Sequence, residues 1–473
     1  MSALPRPFWL AQALATESVQ ALAPLTRAVR AELVVVGGGF TGLWTALLAK
    51  QARPQLDVVV LEADLCGAGA SGRNGGCVLG WSTKFLTLRR LYGEAEACRL
   101  VAASERAILE IEAFIAAHRI DCEWRRHGTL YTATSQAQIG ASDAVIAELA
   151  ARGLSSWERL PTVEVRRRAG SRAHLEGWFS PIAATVQPAR LVRGLRRVAL
   201  ELGIGIFEGS PMVSLDDREP VTVQTPRGSV TADRAVLALN AWMPRLFGRF
   251  GRSIAIVSSD MVITEPAPEA LAASGLDGGV SVLDSRTFVH YYRSTVDGRL
   301  MLGKGGNTFA YGGRIRRVFD APSPYRDALA RQLAAFIPEL AHVPIAASWN
   351  GPSDRSVTGL PFFGRVRSNV FYGFGYSGNG VGPSRMGGEI LASLALGREN
   401  EWTRSPLATG ARGQFPPEPV RYFGSLIVRN AIRRKEAAED CGSTPRPWDV
   451  ALARFAAAAG KADKVTAADR RTA

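Results

Sequence analysis

Between residues 32 and 62 the hydrophobic and polar positions predict a strand, a turn, a helix and a second strand. The apolar run at 32–36 is typical of a strand buried on both faces of a sheet. A glycine-rich turn at 37–42 follows directly, and apolar residues at 43–50 then recur four positions apart, as along a helix. A second apolar run, 58–61, ends at Glu62. This order is the first half of a doubly wound α/β fold.

Farther along the chain the pattern of polar and apolar residues changes twice. The stretch from about 83 to 170 is charged, helical in its periodicity and without a glycine fingerprint. A clear helix opens at Pro188 and stops at Gly203. Strand-like runs then occupy 221–225, 234–239 and much of 253–310, where 288–294 and 299–303 are joined by a turn at Asp297-Gly298.

The alternation between these sequence patterns predicts an α/β protein of two domains, each built from discontinuous stretches of the chain. A Rossmann-like nucleotide-binding domain takes 31–82, 186–248 and 352–404. An inserted α+β domain, with an antiparallel sheet, takes 83–185 and 249–351. Residues 1–30 are an extension that either packs on the body or hangs free, and 405–473 form a helical, basic tail.

The turn at 37–42 reads Gly37-x-Gly39-x-x-Gly42, the spacing that lets a pyrophosphate approach the backbone at a helix N-terminus. Glu62 lies 20 residues past Gly42 at a strand end, where a carboxylate accepts ribose hydroxyls and disfavours the 2′-phosphate of NADP. The alternative is a glycine-rich turn beside a surface glutamate. The strand before the turn and the helix after it favour a dinucleotide site.

A second glycine-dense stretch, CGAGASGRNGGC at 66–77, follows that half-site and carries one charged side chain, Arg73. Small residues allow its backbone to lie flat against a planar, phosphorylated ligand. We expect Arg73 to neutralise phosphate and Ser71 or Asn74 to reach polar ligand atoms. A flexible linker would explain the glycines but not their position.

GASGRNGG resembles the flavin loop of the D-amino-acid oxidase/glycine oxidase superfamily, and most closely its gamma-glutamylputrescine oxidase-like branch. Segments at 186–191, 290–293, 297–300 and 373–381 resemble the family in the same order, so the likeness covers about 31–400. It implies a glutathione-reductase-type FAD-binding domain with an inserted substrate domain. FAD is then the cofactor, bound non-covalently. The residues that it assigns to FAD are Gly37, Gly39, Phe40, Thr41, Gly42, Glu62, Ala63, Gly69, Ala70, Ser71, Arg73, Asn74, Gly75, Gly76, Val213, Asn240, Gly375, Ser377, Gly378, Asn379, Gly380 and Val381.

Two positions depart from the family's pattern. Asn379 stands where relatives often have His, and Cys77 follows the double glycine where Gln is frequent. We expect both differences to affect the reactivity of the bound flavin. Cys77 is either a small, inert thiol or a covalent link to the flavin, and we favour the thiol.

The catalytic candidates lie on the strands at 288–303. Strand alternation places Tyr291 and Arg293 on one face, and we expect Arg293 to clamp an anionic substrate group. The alternative for both is a structural role in the sheet. Lys304, between two glycines, is a candidate for supporting oxygen reduction, against a simply solvated lysine.

Composition narrows the remaining classes. With 47% apolar and 21% charged residues the chain is of ordinary globular type, and no apolar run is long enough to span a membrane. Five scattered cysteines favour the cytoplasm, and five histidines without ligand spacing predict no metal. The net charge is +14, but the basic residues form no stripe that is interleaved with aromatic residues. We therefore expect no nucleic-acid partner. The tail helix at 422–438 fits docking on the body or a second subunit better than a membrane surface.

The resemblance implies FAD-dependent oxidation of an amine or amino-acid-like substrate. A hydride passes to flavin N5, the imine hydrolyses, and oxygen becomes hydrogen peroxide. The excess of arginine favours an anionic substrate. Two alternatives stay open: an amine dehydrogenase that passes electrons to a carrier, and a non-catalytic flavin-binding protein.

Overall fold

The computed structural model describes residues 6–17, 22–319, 322–459 and 462–464. The strands are β1 (Ala28–Val36), β2 (Val58–Leu61), β3 (Cys77–Val78), β4 (Thr129–Ala133), β5 (Glu158–Leu160), β6 (Glu176–Ser180), β7 (Ala184–Thr185), β8 (Gly205–Phe207), β9 (Ser214–Asp216), β10 (Val221–Gln224), β11 (Ser229–Leu237), β12 (Ile254–Thr264), β13 (Ser281–Asp284), β14 (His290–Ser294), β15 (Leu300–Phe309), β16 (Ile345–Ser356), β17 (Phe362–Arg367) and β18 (Val370–Phe374). The helices are α1 (Phe8–Thr16), α2 (Phe40–Ala52), α3 (Phe85–Tyr92), α4 (Glu94–Ala117), α5 (Asp143–Ala150), α6 (Thr162–Ala169), α7 (Pro188–Glu201), α8 (Met243–Leu246), α9 (Pro268–Ser274), α10 (Arg326–Phe336), α11 (Pro383–Leu396), α12 (Val420–Asp440) and α13 (Pro447–Ala453).

The first large sheet is the doubly wound one that the sequence predicts. Its order is β17-β18-β11-β1-β2-β8, and the pairs from β18 through β8 are parallel. A meander of β9 and β10 continues from β11. Helices α2, α4, α7 and α11 contribute to one apolar core against this sheet, and a second core covers its other face. Burial on both faces is why 33–36 and 58–61 are uninterrupted apolar runs.

The second large sheet has the order β16-β12-β15-β14-β13-β4-β6-β5. Its pairs are antiparallel except β4 with β13, which run parallel, so the expected antiparallel sheet is mixed. The prediction that 83–170 is helical is wrong in part, because β4 and β5 lie within it. These strands have only five and three residues, and their partners are distant in sequence, so local periodicity does not reveal them.

The strands of the two sheets fall within the predicted discontinuous stretches, except that β1 begins at Ala28 and β16 ends at Ser356. We interpret the two sheets as the two domains. A two-stranded sheet of β3 and β7 is the third sheet among the described residues.

Both terminal segments pack on the body. Helix α1 buries Trp9 and Leu10 completely. Helix α12 buries Ala431 and Ile432, and it extends the predicted helix by two residues at each end. Within the described ranges, no helix combines the length and the apolar character that crossing a membrane requires.

Candidate active site

A cleft that is partly open to solvent lies between the first sheet and the second; the space in and directly above it that no protein atom fills is about 1100 Å³. Three glycine-dense segments that are far apart in sequence converge on it, at 40–41, 70–75 and 376–381. Strands β12, β14, β15 and β16 of the second sheet supply the opposite wall. The lining residues are Phe40, Thr41, Ala70, Ser71, Arg73, Asn74, Gly75, Cys77, Asn240, Ser259, Met261, Thr287, Phe288, Val289, Tyr291, Gly305, Gly351, Pro352, Ser353, Asp354, Arg355, Tyr376, Gly378, Gly380, Val381 and Ser384.

The turn between β1 and α2 has the geometry of a nucleotide-binding turn. Gly37 has φ +115°, a conformation that side chains with a Cβ rarely adopt. A Cβ on Gly42 would lie 1.9 Å from the Gly37 carbonyl oxygen. The backbone therefore closes on itself so tightly that only glycine fits, and α2 begins directly beneath it at Phe40.

Glu62 is held against this turn at the end of β2. One carboxylate oxygen accepts the Gly38 N–H at 2.7 Å and the other accepts the Asp64 N–H at 3.0 Å. Burial raises the pKa of the Glu62 carboxyl above its usual value. Ala63 follows it in the turn that leaves the strand. The carboxylate thus sits beside the glycine turn, as a ribose-binding residue requires.

The loop at 66–77 is folded back on the turn. The Ser71 hydroxyl accepts the Phe40 N–H at 2.8 Å, and the Asn74 side-chain oxygen accepts the Gly76 N–H at 2.9 Å. The Asn74 amide nitrogen donates to the Ser71 carbonyl at 2.8 Å. The loop's polar side chains therefore shape the loop itself while Ser71 and Asn74 line the cleft.

The side chain of Arg73 forms hydrogen bonds with backbone carbonyl groups of the protein. Its guanidinium donates to the carbonyl oxygens of Ala68 at 2.7 Å, Phe319 at 3.3 Å and Asn350 at 3.4 Å. It thereby ties the glycine-dense loop to Phe319 and to β16 of the second sheet. Arg73 lines the cleft, but the phosphate-neutralising role that we expected for it has no support from this arrangement.

The loop after β18 is organised by a buried carboxylate. Asp354 accepts the backbone N–H groups of Gly375 and Tyr376, and burial raises its pKa to about 6. The Ser377 hydroxyl accepts the Ser356 N–H at 3.0 Å, and the Asn379 amide donates to the Gly80 carbonyl at 3.1 Å. These contacts bring Gly378, Gly380 and Val381 to the cleft, ahead of α11.

Eleven of the residues assigned to FAD line the cleft and eleven do not, and one assignment is corrected. Gly39 and Gly69 flank lining residues, and Gly76 packs under Arg293. Val213 is exposed, and its N–H donates to the Gln224 carbonyl at 2.8 Å. That amide is committed to the sheet meander, so it is not available to FAD, to which the resemblance assigns Val213.

Tyr291 is the catalytic candidate that the structure places in the cleft. Its ring packs against Gly75 of the flavin-type loop and Gly303 of β15. Its hydroxyl is 2.9 Å from the Ser259 hydroxyl, and burial raises its pKa, so the phenol is neutral. Tyr291 and Ser259 together offer a hydroxyl pair to a bound molecule.

Arg293 lies on the same face of β14 as Tyr291 but does not line the cleft. It is 1% exposed, and its guanidinium donates to the Gly75 and Val186 carbonyl oxygens, both at 2.7 Å. Its carbon lies 4.9 Å from the centre of the Trp9 ring. The expectation that Arg293 clamps substrate is therefore corrected: it fastens the second sheet to the glycine-dense loop.

Lys304 points away from the cleft. On β15 its neighbour Gly305 lines the cleft, so alternation directs Lys304 to the other side. There its amine lies 3.0 Å from His290 Nε2 and donates to the Phe288 carbonyl at 3.1 Å. Burial lowers its pKa. The structure does not support its predicted role in oxygen reduction.

Sequence reasoning missed Arg355, a cation that does line the cleft. A guanidinium nitrogen donates to the Ser377 carbonyl at 2.5 Å, and another lies near Gly305 and Gly378. Burial lowers its pKa, and the adjacent Asp354 opposes that shift. The available signal was an Asp-Arg pair in the glycine- and proline-containing segment at 350–355, which spans the start of the third nucleotide segment.

The residues present fit a dinucleotide of the FAD type. A Cβ-free turn, with the Glu62 carboxylate beside it, leads into Phe40 and Thr41, which line the cleft together with two further glycine-dense loops. Gly37, Gly42 and Glu62 are placed to hold the adenosine half, and the loops at 70–75 and 375–381 the flavin half. Among the described residues there is no cluster of side chains that suits a metal ion.

Comparison with known proteins agrees with this geometry. The family model for DAO, FAD dependent oxidoreductase, matches residues 32–394. The chain is 29% identical over 384 residues to a probable oxidoreductase OrdL from Haemophilus influenzae, covering 79% of this chain and 85% of that protein. It is 29% identical over 375 residues to gamma-glutamylputrescine oxidoreductase from Escherichia coli, with the same coverage.

Solved structures share the fold. Glycine oxidase from Geobacillus kaustophilus superposes with a TM-score of 0.66 at 22% identity, over 81% of this chain and 100% of that chain. L-proline dehydrogenase from P. horikoshii superposes with a TM-score of 0.64 at 19% identity, over 80% of this chain and 96% of that one. Since the family model spans well over half of the sequence, the chain belongs to the DAO family of FAD-dependent oxidoreductases.

Proposed function

We propose that this enzyme oxidises the C–N bond of an amine or amino-acid-like substrate that carries an anionic group. The imine product hydrolyses in water, and oxygen is reduced to hydrogen peroxide. One observation supports the proposal: the flavin-type loops share a single cleft with a hydroxyl pair and the half-buried guanidinium of Arg355, all from the second sheet. FAD, when bound, supplies the acceptor for hydride at its N5 atom.

The side chains of the cleft have separable tasks. Arg355 offers a guanidinium to a carboxylate or similar anion on the substrate. The hydroxyls of Tyr291 and Ser259 offer hydrogen bonds to the amine end, and the neutral phenol neither adds nor removes charge there. Met261, Phe288 and Val289 are apolar neighbours that exclude water. No general base is required of this chain, provided that the amine binds unprotonated.

The test uses the yellow, purified protein under anaerobic conditions. We expect one or more amines to bleach the flavin absorbance, in a panel that includes gamma-glutamylputrescine, glycine, N-methyl amino acids and aminophosphonates. Readmission of air should release peroxide in an amount equal to the reduced flavin. Bleaching without peroxide identifies a dehydrogenase that needs a carrier, and failure of every amine to bleach the flavin contradicts catalysis of this kind.

A further inference from the structure

One wall of the cleft is a short loop between β13 and β14. This loop, residues 285–289, presents Thr287, Phe288 and Val289 to the cleft. It has no sheet partners of its own, because β13 ends at Asp284 and β14 begins at His290. Its conformation therefore depends on what binds its backbone groups.

Charged side chains of the second sheet hold part of this backbone. One Asp284 oxygen accepts the N–H groups of Arg286 at 3.2 Å and His290 at 3.0 Å. Lys304 donates to the Phe288 carbonyl at 3.1 Å. The loop is thus wrapped around an ionised carboxylate, whose pKa the neighbouring His290 and Arg286 hold below its usual value against the effect of burial.

Two further backbone groups of the loop are bound by the C-terminal tail. Glu436 of α12, which is 7% exposed, accepts the Thr287 N–H at 2.9 Å. Lys464, near the end of the chain, donates to the Arg286 carbonyl at 2.5 Å. The Arg286 guanidinium also pairs with Asp440 at the end of α12. The tail therefore binds the loop through side chains that do not line the cleft.

The last described segment, 462–464, is itself firmly anchored. Asp463 accepts the N–H of Thr87 at 2.8 Å and its hydroxyl at 2.6 Å, and its own N–H donates to the Thr83 carbonyl at 2.7 Å. Ala462 is 2% exposed and belongs to the apolar cluster that contains Val289 and Tyr291. Residues 462–464 thus reach the apolar interior beside the cleft.

These tail residues lie beyond the part of the chain that the family model matches, which ends at residue 394. A helix that merely docks needs an apolar face, and α12 has one in Ala431 and Ile432. Burying Glu436 and half-burying Lys464 as well is costly unless they form hydrogen bonds, and the loop accepts one from Lys464 and donates one to Glu436. Docking alone does not account for charged groups aimed at this one loop.

We propose that the tail completes the active site, with Glu436 and Lys464 as positioning residues that hold loop 285–289 in the conformation that binds substrate. This inference rests on the proposed function of the cleft. Neither side chain lines the cleft, so both act through the loop. Their loss should weaken substrate binding while leaving FAD affinity and the bound-state rate of flavin reduction intact.

The experiment compares full-length, FAD-loaded Glu436→Ala, Glu436→Gln and Lys464→Met with Glu439→Ala. Glu439 lies on the same helix, but its carboxylate pairs with Lys435. Hydrogen–deuterium exchange of the peptide that contains Thr287 is measured without substrate. KM and the limiting rate of flavin reduction are measured with the amine that bleaches wild type best.

For Glu436→Ala we expect exchange and KM each to rise about tenfold, since one charge-assisted hydrogen bond is lost. The limiting reduction rate and FAD affinity should stay near wild type. Glu436→Gln keeps an acceptor oxygen and should restore most of the KM, and Lys464→Met should resemble Glu436→Ala. Glu439→Ala should match wild type throughout.

Equal exchange in Glu436→Ala and Glu439→Ala overturns the inference, as does faster exchange with an unchanged KM. If Glu436→Ala does not fold, Glu436→Gln and Lys464→Met decide the question by the same two measurements. If no amine bleaches wild type, the proposed function fails on its own, and the substrate-free exchange comparison still decides whether the tail holds the loop.

Discussion

On the first-sheet side of the cleft the turn at 37–42 owes its shape to missing side chains, whereas on the opposite side loop 285–289 owes its shape to charged ones. Gly37 and Gly42 approach each other so closely that a Cβ has no room. Loop 285–289 is instead bound by Asp284, Glu436 and Lys464, of which two are about 150 residues or more away along the chain.

This difference has a physical consequence for each wall. A steric requirement is met or violated within a few residues, so the nucleotide side is a local property of the chain. A buried charge is stable only when its partners arrive from elsewhere, so the substrate side is a property of the assembled fold. We therefore expect cofactor binding and substrate binding to respond to different kinds of substitution.

The largest effect should come from Gly42→Ala. The added Cβ collides with the Gly37 carbonyl oxygen, which is backbone and cannot move aside cheaply. We expect FAD affinity to fall about 100-fold or more, equivalent to about 3 kcal/mol, and the purified protein to be colourless. Titration with FAD measures this. Gly424→Ala is the matched control, because no atom lies within 4 Å of its Cβ position; colour loss there would contradict the steric account.

Arg293→Met tests the junction between the two walls. Removing the guanidinium leaves the buried Gly75 and Val186 carbonyl oxygens without their donor, at a cost of about 3 kcal/mol in the free energy of unfolding. Denaturant unfolding of the FAD-loaded protein measures it. Because Arg293 is outside the cleft, we expect a large fall in the free energy of unfolding with little change in KM. A large rise in KM with unchanged stability would restore Arg293 as a substrate clamp.

The pH dependence of stability should report His174, which precedes β6 and is one of two buried histidines in the described part of the chain, the other being His290 of β14. His174 hydrogen-bonds Thr132 and Tyr292, and burial lowers its pKa to about 4. Between pH 6.5 and 4 this histidine is therefore protonated in the unfolded chain but neutral in the folded protein. The free energy of unfolding consequently falls as the pH falls through that window. At pH 5 the loss from this residue is about 2 kcal/mol.

His174→Gln removes that titration. Its free energy of unfolding should be lower than wild type at pH 7 but less dependent on pH between 6.5 and 5. The difference in slope between the two proteins, from denaturant unfolding at several pH values, is the measurement. Parallel slopes would show that His174 titrates normally in the folded protein.

The smallest expected effect belongs to Arg355 and concerns selectivity. Arg355→Lys keeps the charge but loses the fork geometry, and Arg355→Met loses both. For an anionic substrate we expect KM to rise about tenfold in the methionine variant, about 1.4 kcal/mol, and less in the lysine variant. A neutral amine of similar size should be unaffected. Equal losses for both substrates would assign Arg355 to structure, through its bond to Ser377.

Much of the first sheet could be predicted because its signals are local. The helix expected from Pro188 to about residue 202 is α7, Pro188–Glu201, and the turn at 37–42 lies between β1 and α2 as expected. The insert at 83–170 was harder. Its arginine-rich pattern suggests helices, and β4 is revealed only by its partners β6 and β13.

The catalytic candidates show the same limit. Alternation correctly placed Tyr291 and Arg293 on one face of β14. It does not say how far along the strand the cleft extends, and Arg293 lies beyond it, under Gly75 and beside Trp9. Lys304 lies on the face of β15 that is directed away from the cleft, because its neighbour Gly305 lines the cleft.

The sequence by itself determined where a nucleotide can approach the backbone, since the absence of a Cβ at Gly37, Gly39 and Gly42 is a covalent fact that no packing can alter. The tertiary structure decided what each charged residue does. Arg73 and Arg293 became ties between segments, Arg355 became the cation of the cleft, and the tail came to support loop 285–289. The reason is that a guanidinium or carboxylate takes its role from the partners that folding brings within about 3 Å, and those partners are remote in sequence.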